Sequence, residues 1–136
     1  MNRRQARETA MKLIFQQQFK NDLSEEDLFN LLQGKKINEE NYRYINNVVD
    51  GIKKNVDQID NLIVANTKGW ALNRLPKIDL SILRIALYEM LFMEEIPVKV
   101  SINEAVEMAK RYGTENSPKF INGILGEINK KMSKRD

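Results

Sequence analysis

The chain has 136 residues, 42% hydrophobic and 30% charged, enough for one folded domain and small for an enzyme with separate cofactor and substrate lobes. It contains no cysteine and no histidine, which removes disulfides, thiolate nucleophiles, the common zinc sites and every mechanism that needs an imidazole base. The net charge of +3 is uneven: residues 1–12 and residues 129–136 each carry +3, and the body between them carries −3.

Charge gathered at the two ends points to an anionic partner, most simply nucleic acid, with solubilising basic ends as the plainer alternative. Carboxylate, lysine and serine chemistry stay formally open, but the expectation is a protein that is not an enzyme and uses no cofactor or metal. No run of about twenty apolar residues is present, so no membrane-spanning helix is expected. The start is no secretory signal, because Lys12 and Gln16 to Gln18 break its apolar stretch. A cytoplasmic protein is expected, with which the absence of cysteine agrees.

The opening "MNRRQARETAMKLIFQQQF" reads as an amphipathic helix. At 100° per residue Ala6, Ala10, Leu13, Ile14 and Gln17 share a stripe, while Arg4, Met11 and Phe15 fall nearly opposite and Arg7 lies between. Arginines at a helix N-terminus oppose the macrodipole, so Arg3, Arg4 and Arg7 weaken the helix slightly where acidic residues would strengthen it. A planar guanidinium donates two hydrogen bonds to one phosphate and stacks on a base, which makes the trio a candidate anion contact; a solvated face is the bland alternative. Phe15, on the outward side, suits either a protein partner or a nucleotide platform.

A second helix is predicted from Ser24, with Asp27 completing a capping box and Leu28, Phe29, Leu31 and Leu32 preceding Gly34. From Glu39 to about Asn66, Tyr42, Ile45, Val49, Ile52, Val56, Ile59 and Ile63 alternate at spacings of three and four, the seam of one long helix or of two joined by a bend. Gly51 marks either a close packing contact or a weak point. "TKGWALNRLPKID" then reads as a connection between an N-terminal helical group, about residues 1–66, and a C-terminal group, about residues 70–132.

"LSILRIALYEMLFM" carries only Arg84 and Glu89 as charges and is expected to be a central helix buried on most sides. In "IPVKVSINEAVEMAKRYG", Ser101 is read as N-cap, Glu104 as its capping-box partner and Gly113 as the stop. The last helix is placed from Ser117, with Pro118 in its first turn and Ile121, Ile124, Leu125 and Ile128 on its core face; a basic tail follows. Phe120 projects roughly 95° from that stripe by the helical period, half exposed or at the core boundary, with Lys119 beyond it. Gly123 and Gly126 have the spacing of a GXXG nucleic-acid loop, yet inside a helical pattern they read as a close helix contact. The neighbouring carboxylate pairs Glu25/Glu26, Glu39/Glu40 and Glu94/Glu95 diverge on a helix and make no acid/base site. The fold class is therefore all-α: a single domain, residues 1–136, of about six or seven helices in two small bundles.

Taken in order, "RRQARETAMKLIF", "IDLSILRIALYEM" and "VSINEAVEMAKRYGTENSPKFINGIL" resemble the NusB transcription antitermination family over essentially the whole chain. The resemblance implies a NusB-like RNA-binding domain that pairs with NusE, a small-subunit ribosomal protein, on single-stranded boxA RNA. It implies membership of the RNA polymerase antitermination complex, especially in ribosomal RNA operons, and no catalysed reaction. By motif, Arg3, Arg4 and Arg7 match the family's arginine-rich RNA-binding start, and Lys119 and Phe120 match its second RNA-facing region, where Asn116 also lies. Phe15 and Asp79 match positions that face NusE. Asn116 replaces an acidic residue common in the family, and Gln5 interrupts a run that is more continuously basic in some relatives. Two rival expectations are a helical protein–protein scaffold and an accessory RNA-binding partner of an rRNA-modifying enzyme.

Overall fold

The computed structural model describes residues 1–20 and 22–133; Lys134, Arg135 and Asp136 of the basic tail lie outside them. Helix α1 (Arg3–Gln17) opens on a capping box: the Asn2 side chain accepts the Gln5 N–H at 2.8 Å, and Gln5 Oε1 accepts the Asn2 N–H at 2.9 Å. Gln5 thus interrupts the basic run because it holds the helix end. The apolar stripe Ala6, Ala10, Leu13 and Ile14 is buried as expected. Met11, expected on the opposite side, is also buried, because α1 packs against three helices and a single stripe cannot describe its surroundings.

Helix α2 (Glu25–Leu32) begins as predicted, with Ser24 and Asp27 forming both halves of a capping box. Leu28 alone of its residues is fully buried, and Phe29 stays exposed. Helix α3 (Glu39–Ala65) is one element with a bend at Asn55, where φ and ψ are −117° and 18° and the side-chain amide donates to Gly51 O at 2.7 Å. Ile45, Ile52, Ile59 and Ile63 of the predicted seam are buried, as are Tyr44 and Val48 beside it. Gly51 is a packing contact: a Cβ built there would lie 2.2 Å from the Tyr88 ring of the next long helix.

A short 3-10 turn (Leu72–Arg74) lies in the connection, and α4 (Lys77–Phe92) starts three residues before the apolar run at Leu80, with Pro76 at its N-cap. Pro fits there because its fixed φ suits a helix start and no N–H is needed. Helix α4 packs against α1, α3, α5 and α6 and is buried from Asp79 to Leu83 and from Ile85 to Met90. Arg84 is the half-buried exception, held by a two-point pair to Asp60 at 3.0 and 2.8 Å that fastens α4 to α3.

Helix α5 (Val98–Tyr112) departs from expectation: it starts after Pro97, and Ser101 is a buried residue inside it, not its N-cap. Gly113 ends the helix as predicted, in extended conformation, with its N–H on Ala109 O at 2.9 Å; a Cβ there would meet Ser117 Oγ at 2.5 Å. Helix α6 (Ser117–Ser133) buries Ile121, Ile124, Leu125 and Ile128, the predicted face. Gly123 and Gly126 face open space, so the expected close helix contact at them is absent. The described residues contain helices and no strand.

Candidate nucleic-acid interface

Successive side chains on a helix leave at 100° intervals, and the first turns of α1 send their arginines to different places. Arg3 reaches α3: its guanidinium carbon lies 4.4 Å from the centre of the Tyr44 ring, Nε donates to Asn41 Oδ1 at 3.0 Å, and Nη2 is 3.6 Å from Glu40. Arg4 reaches α5 and keeps 55% of its side chain exposed, with Nε donating to both carboxylate oxygens of Glu104 at 3.1 and 3.3 Å. Arg7 turns inward. Its side chain is 6% exposed, Nε donates to Glu89 Oε2 at 2.8 Å and Nη2 donates to Oε1 at 3.3 Å. The expectation that Arg7 presents its fork outward meets a side chain turned the other way: its Nε/Nη2 edge is spent on a carboxylate inside the protein, and Nη1 lies 3.8 Å from Glu104.

Glu89 is the group that sequence reasoning passed over. It is 1% exposed in an apolar helix, and besides Arg7 it accepts the Ser101 hydroxyl at 2.7 Å and the Tyr44 hydroxyl. Four helices therefore meet on one carboxylate. Burial and then the Glu89 charge hold the Tyr44 phenol well above its ordinary range, so it stays protonated and donates. For Arg7, burial pulls the guanidinium down but the hydrogen bond and charge of Glu89 outweigh it, so the side chain stays charged. The signal was a lone acidic residue in an apolar run, since a buried carboxylate needs partners. No buried side-chain nitrogen or oxygen among the described residues lacks a hydrogen-bond partner.

The basic start of α1 and the start of α6 come together across α5. Arg4, Asn103, Val106, Glu107, Lys110, Pro118, Lys119 and Asn122 line one open groove of about 590 Å³. Arg4 and Lys119 are thus brought to a common surface from positions 115 residues apart in the chain. Phe120, next to Lys119, is half-buried against the core, and Asn116 is exposed just before α6. Lys110 pairs with Glu107 at 3.2 Å, whereas Lys119 makes no ion pair among the described residues.

Of the residues expected at the protein partner, Phe15 lies toward the other end of α1 and Asp79 in the first turn of α4. Gln18 donates to Lys77 O and Ser81 Oγ, both at 2.8 Å, which fixes the end of α1 against the start of α4. Phe15 is half-buried and meets the exposed Phe19 edge to face at 5.2 Å, and the Lys77 ammonium lies 5.5 Å from the Phe19 ring. Asp79 is 3% exposed and accepts the Ser117 hydroxyl at 2.7 Å, so it bridges α4 to the start of α6 and shows no open face. Burial raises its carboxyl above the ordinary range, and the Ser117 hydrogen bond offsets this only in part. Among the described residues no three acidic side chains converge as a metal site, and no helix is long and apolar enough to cross a membrane.

The sequence model of the NusB family matches residues 4–130. The chain belongs to the NusB family. The transcription antitermination protein NusB of Clostridium novyi is 50% identical over 130 residues, spanning 94% of this chain and 98% of that relative. The protein of the same name from Acetivibrio thermocellus is 50% identical over 128 residues, 94% of this chain and 88% of the relative. Among solved structures, T. maritima NusB superimposes with a TM-score of 0.87 at 43% identity, covering 96% of this chain and 92% of the other. A structure of the antitermination factors NusB and NusE in complex with dsRNA matches with a TM-score of 0.83 at 25% identity, covering 95% and 96%. The relatives of this NusB family member are transcription antitermination proteins, a regulatory role and not a catalytic one.

Proposed function

We propose that the chain is a cytoplasmic transcription antitermination factor that binds single-stranded boxA RNA together with NusE and joins the antitermination complex on RNA polymerase, notably in ribosomal RNA operons. The observation that carries this reading is the groove that gathers Arg4 and Lys119, with Phe120 following Lys119 on α6 outside the groove lining. Arg4 and Lys119 contact phosphate, Phe120 stacks on a base, and Asn116 offers an amide without the charge that an acidic residue would bring to the RNA. Arg3 joins them by leaving the Tyr44 ring, and Arg7 supports them from inside. The whole chain acts as one RNA-binding domain.

The exposed Phe19, backed by Phe15, is the apolar contact for NusE, and the buried Asp79 acts indirectly, by tying α4 to the start of α6. A partner docked there extends the RNA track, and the coupling is reciprocal: RNA tightens the protein pair by the factor by which NusE tightens RNA. The test is a titration of boxA and scrambled RNA with and without NusE. Preference for boxA that grows with NusE supports the reading; equal affinity for both RNAs in both conditions favours a protein–protein scaffold with solubilising basic ends.

A further inference from the structure

A carboxylate, Glu104, is held against Arg4, the one arginine among the described residues that lines the groove. Glu104 could compete with phosphate for Arg4, or it could aim Arg4 at phosphate, and the two roles demand different geometry. We propose that Glu104 is a positioning residue that presents Arg4 to the RNA, an inference that rests on the RNA-binding reading of the groove.

Glu104 engages Arg4 only through Nε, at 3.1 and 3.3 Å, and the two terminal nitrogens of Arg4 make no hydrogen bond with any described residue. A competitor would occupy the donating edge that phosphate needs. Here the carboxylate grips the inner nitrogen and leaves the outer pair of donors unspent on a side chain that lines the same groove as Lys119.

Glu104 is itself held. Its side chain is 17% exposed and lies 3.8 Å from Arg7 Nη1, and Arg7 is anchored on Glu89, which Tyr44 and Ser101 fix. Charge alternates outward from the core as Glu89, Arg7, Glu104 and Arg4. Each member restricts the next, so the freedom of the buried end is already removed before RNA arrives. Two guanidinium groups also compensate the Glu104 charge, which weakens its repulsion of an incoming phosphate. A free arginine would lose its rotamer freedom on binding; one that is already oriented loses less.

The experiment measures affinity for a boxA RNA oligonucleotide in the presence of NusE for the wild type, Glu104→Ala, Glu104→Asp and Glu104→Gln, and repeats Glu104→Ala in an Arg4→Ala background. Charge alone predicts that Glu104→Ala tightens RNA, since the protein becomes more positive. Positioning predicts the opposite sign: about twofold to tenfold weaker binding, the range for immobilising one rotamer-rich side chain. Glu104→Asp keeps the charge but falls short of Nε and should also weaken binding, whereas Glu104→Gln keeps an acceptor and should bind more tightly than Glu104→Ala. With Arg4 removed, Glu104→Ala should no longer weaken binding. Circular dichroism checks the fold, and Glu104→Asp decides the matter if Glu104→Ala is unfolded. Wild-type binding with equal or tighter binding by a folded Glu104→Ala or Glu104→Asp variant overturns the inference alone, as does full persistence of the weakening without Arg4. No RNA binding by the wild type, with or without NusE, overturns the RNA reading and the inference together.

Discussion

Arg7 and Glu89 form an ion pair at 2.8 Å between α1 and α4, with both side chains almost wholly removed from solvent. Removing one member of a buried pair leaves the other charge uncompensated, which costs about 3–5 kcal/mol. Arg7→Ala should therefore lower the free energy of unfolding in urea by roughly that amount, while Arg4→Ala, at an exposed site, should stay within about 0.5 kcal/mol of wild type. Equal stability of the two variants would show that Arg7 is not the anchor of α1. Any fall in RNA affinity in Arg7→Ala should then travel with a fall in stability, in contrast to Arg4→Ala.

The RNA-facing residues separate by the kind of energy each supplies. Phe120→Ala should weaken boxA binding by about 1–3 kcal/mol, the range for one base stacked on an aromatic ring, with little change in salt dependence. Arg4→Ala and Lys119→Ala should each reduce the slope of log affinity against log salt by about 0.7, the value for one phosphate of a single strand that is no longer neutralised. Slopes unchanged in the Arg4→Ala, Lys119→Ala double variant would place the phosphates elsewhere on the surface.

Two carboxylates should push stability in opposite directions as the pH falls. Asp79 has a raised carboxyl because burial outweighs its Ser117 hydrogen bond, so the folded state binds its proton more readily than the unfolded chain. Its contribution is most favourable below its folded titration range and diminishes as pH rises through it. Glu8 is the reverse: burial pushes it up, but hydrogen bonds from Tyr112 and Arg111 outweigh this and hold it below the ordinary range. Its stabilisation is present above the ordinary carboxylate range and is lost on acidification. Urea unfolding should show Asp79→Asn gaining on wild type as pH rises from about 4 toward 7, and Glu8→Gln losing ground as pH rises from about 3 to 5, the window below the ordinary carboxylate range. Parallel curves for the two variants would contradict this assignment.

What was legible in the sequence was whatever a residue's near neighbours decide. Ser24 and Asp27 lie one turn apart and form the capping box they spell, and Ile121, Ile124, Leu125 and Ile128 share the face that periodicity assigns them. The same local pattern failed at Ser101 and Glu104. Their true partners are Glu89, 12 residues from Ser101, and Arg4, 100 residues from Glu104, and no spacing rule reaches that far. Arg7 misled for the same reason: an arginine in a basic stretch looks like a surface charge until a buried carboxylate on another helix is in place beside it. Within the candidate site, Arg4, Lys119 and Phe120 were recognisable by residue type and motif. The groove that joins Arg4 to Lys119, and the carboxylate that grips Arg4, exist only once α5 lies between α1 and α6.

The glycines give a final contrast, because Gly51 and Gly123 both interrupt helical sequence yet meet opposite surroundings. A Cβ at Gly51 would fall 2.2 to 2.4 Å from two ring carbons and the hydroxyl oxygen of Tyr88, so Gly51→Ala forces that side chain or α3 to move. Overpacking of this kind costs about 1–3 kcal/mol, and shortening the obstacle in a Gly51→Ala, Tyr88→Leu pair should cost less than the two single changes added together. At Gly123 nothing lies within 4 Å of the added carbon, so Gly123→Ala should raise stability by about 0.4–1 kcal/mol through lower entropy of the unfolded chain. Thermal unfolding of the single variants and the pair checks both. A stabilised Gly51→Ala would mean that α3 and α4 do not approach this closely, whereas a destabilised Gly123→Ala would mean that the outer face of α6 is not open in the free protein.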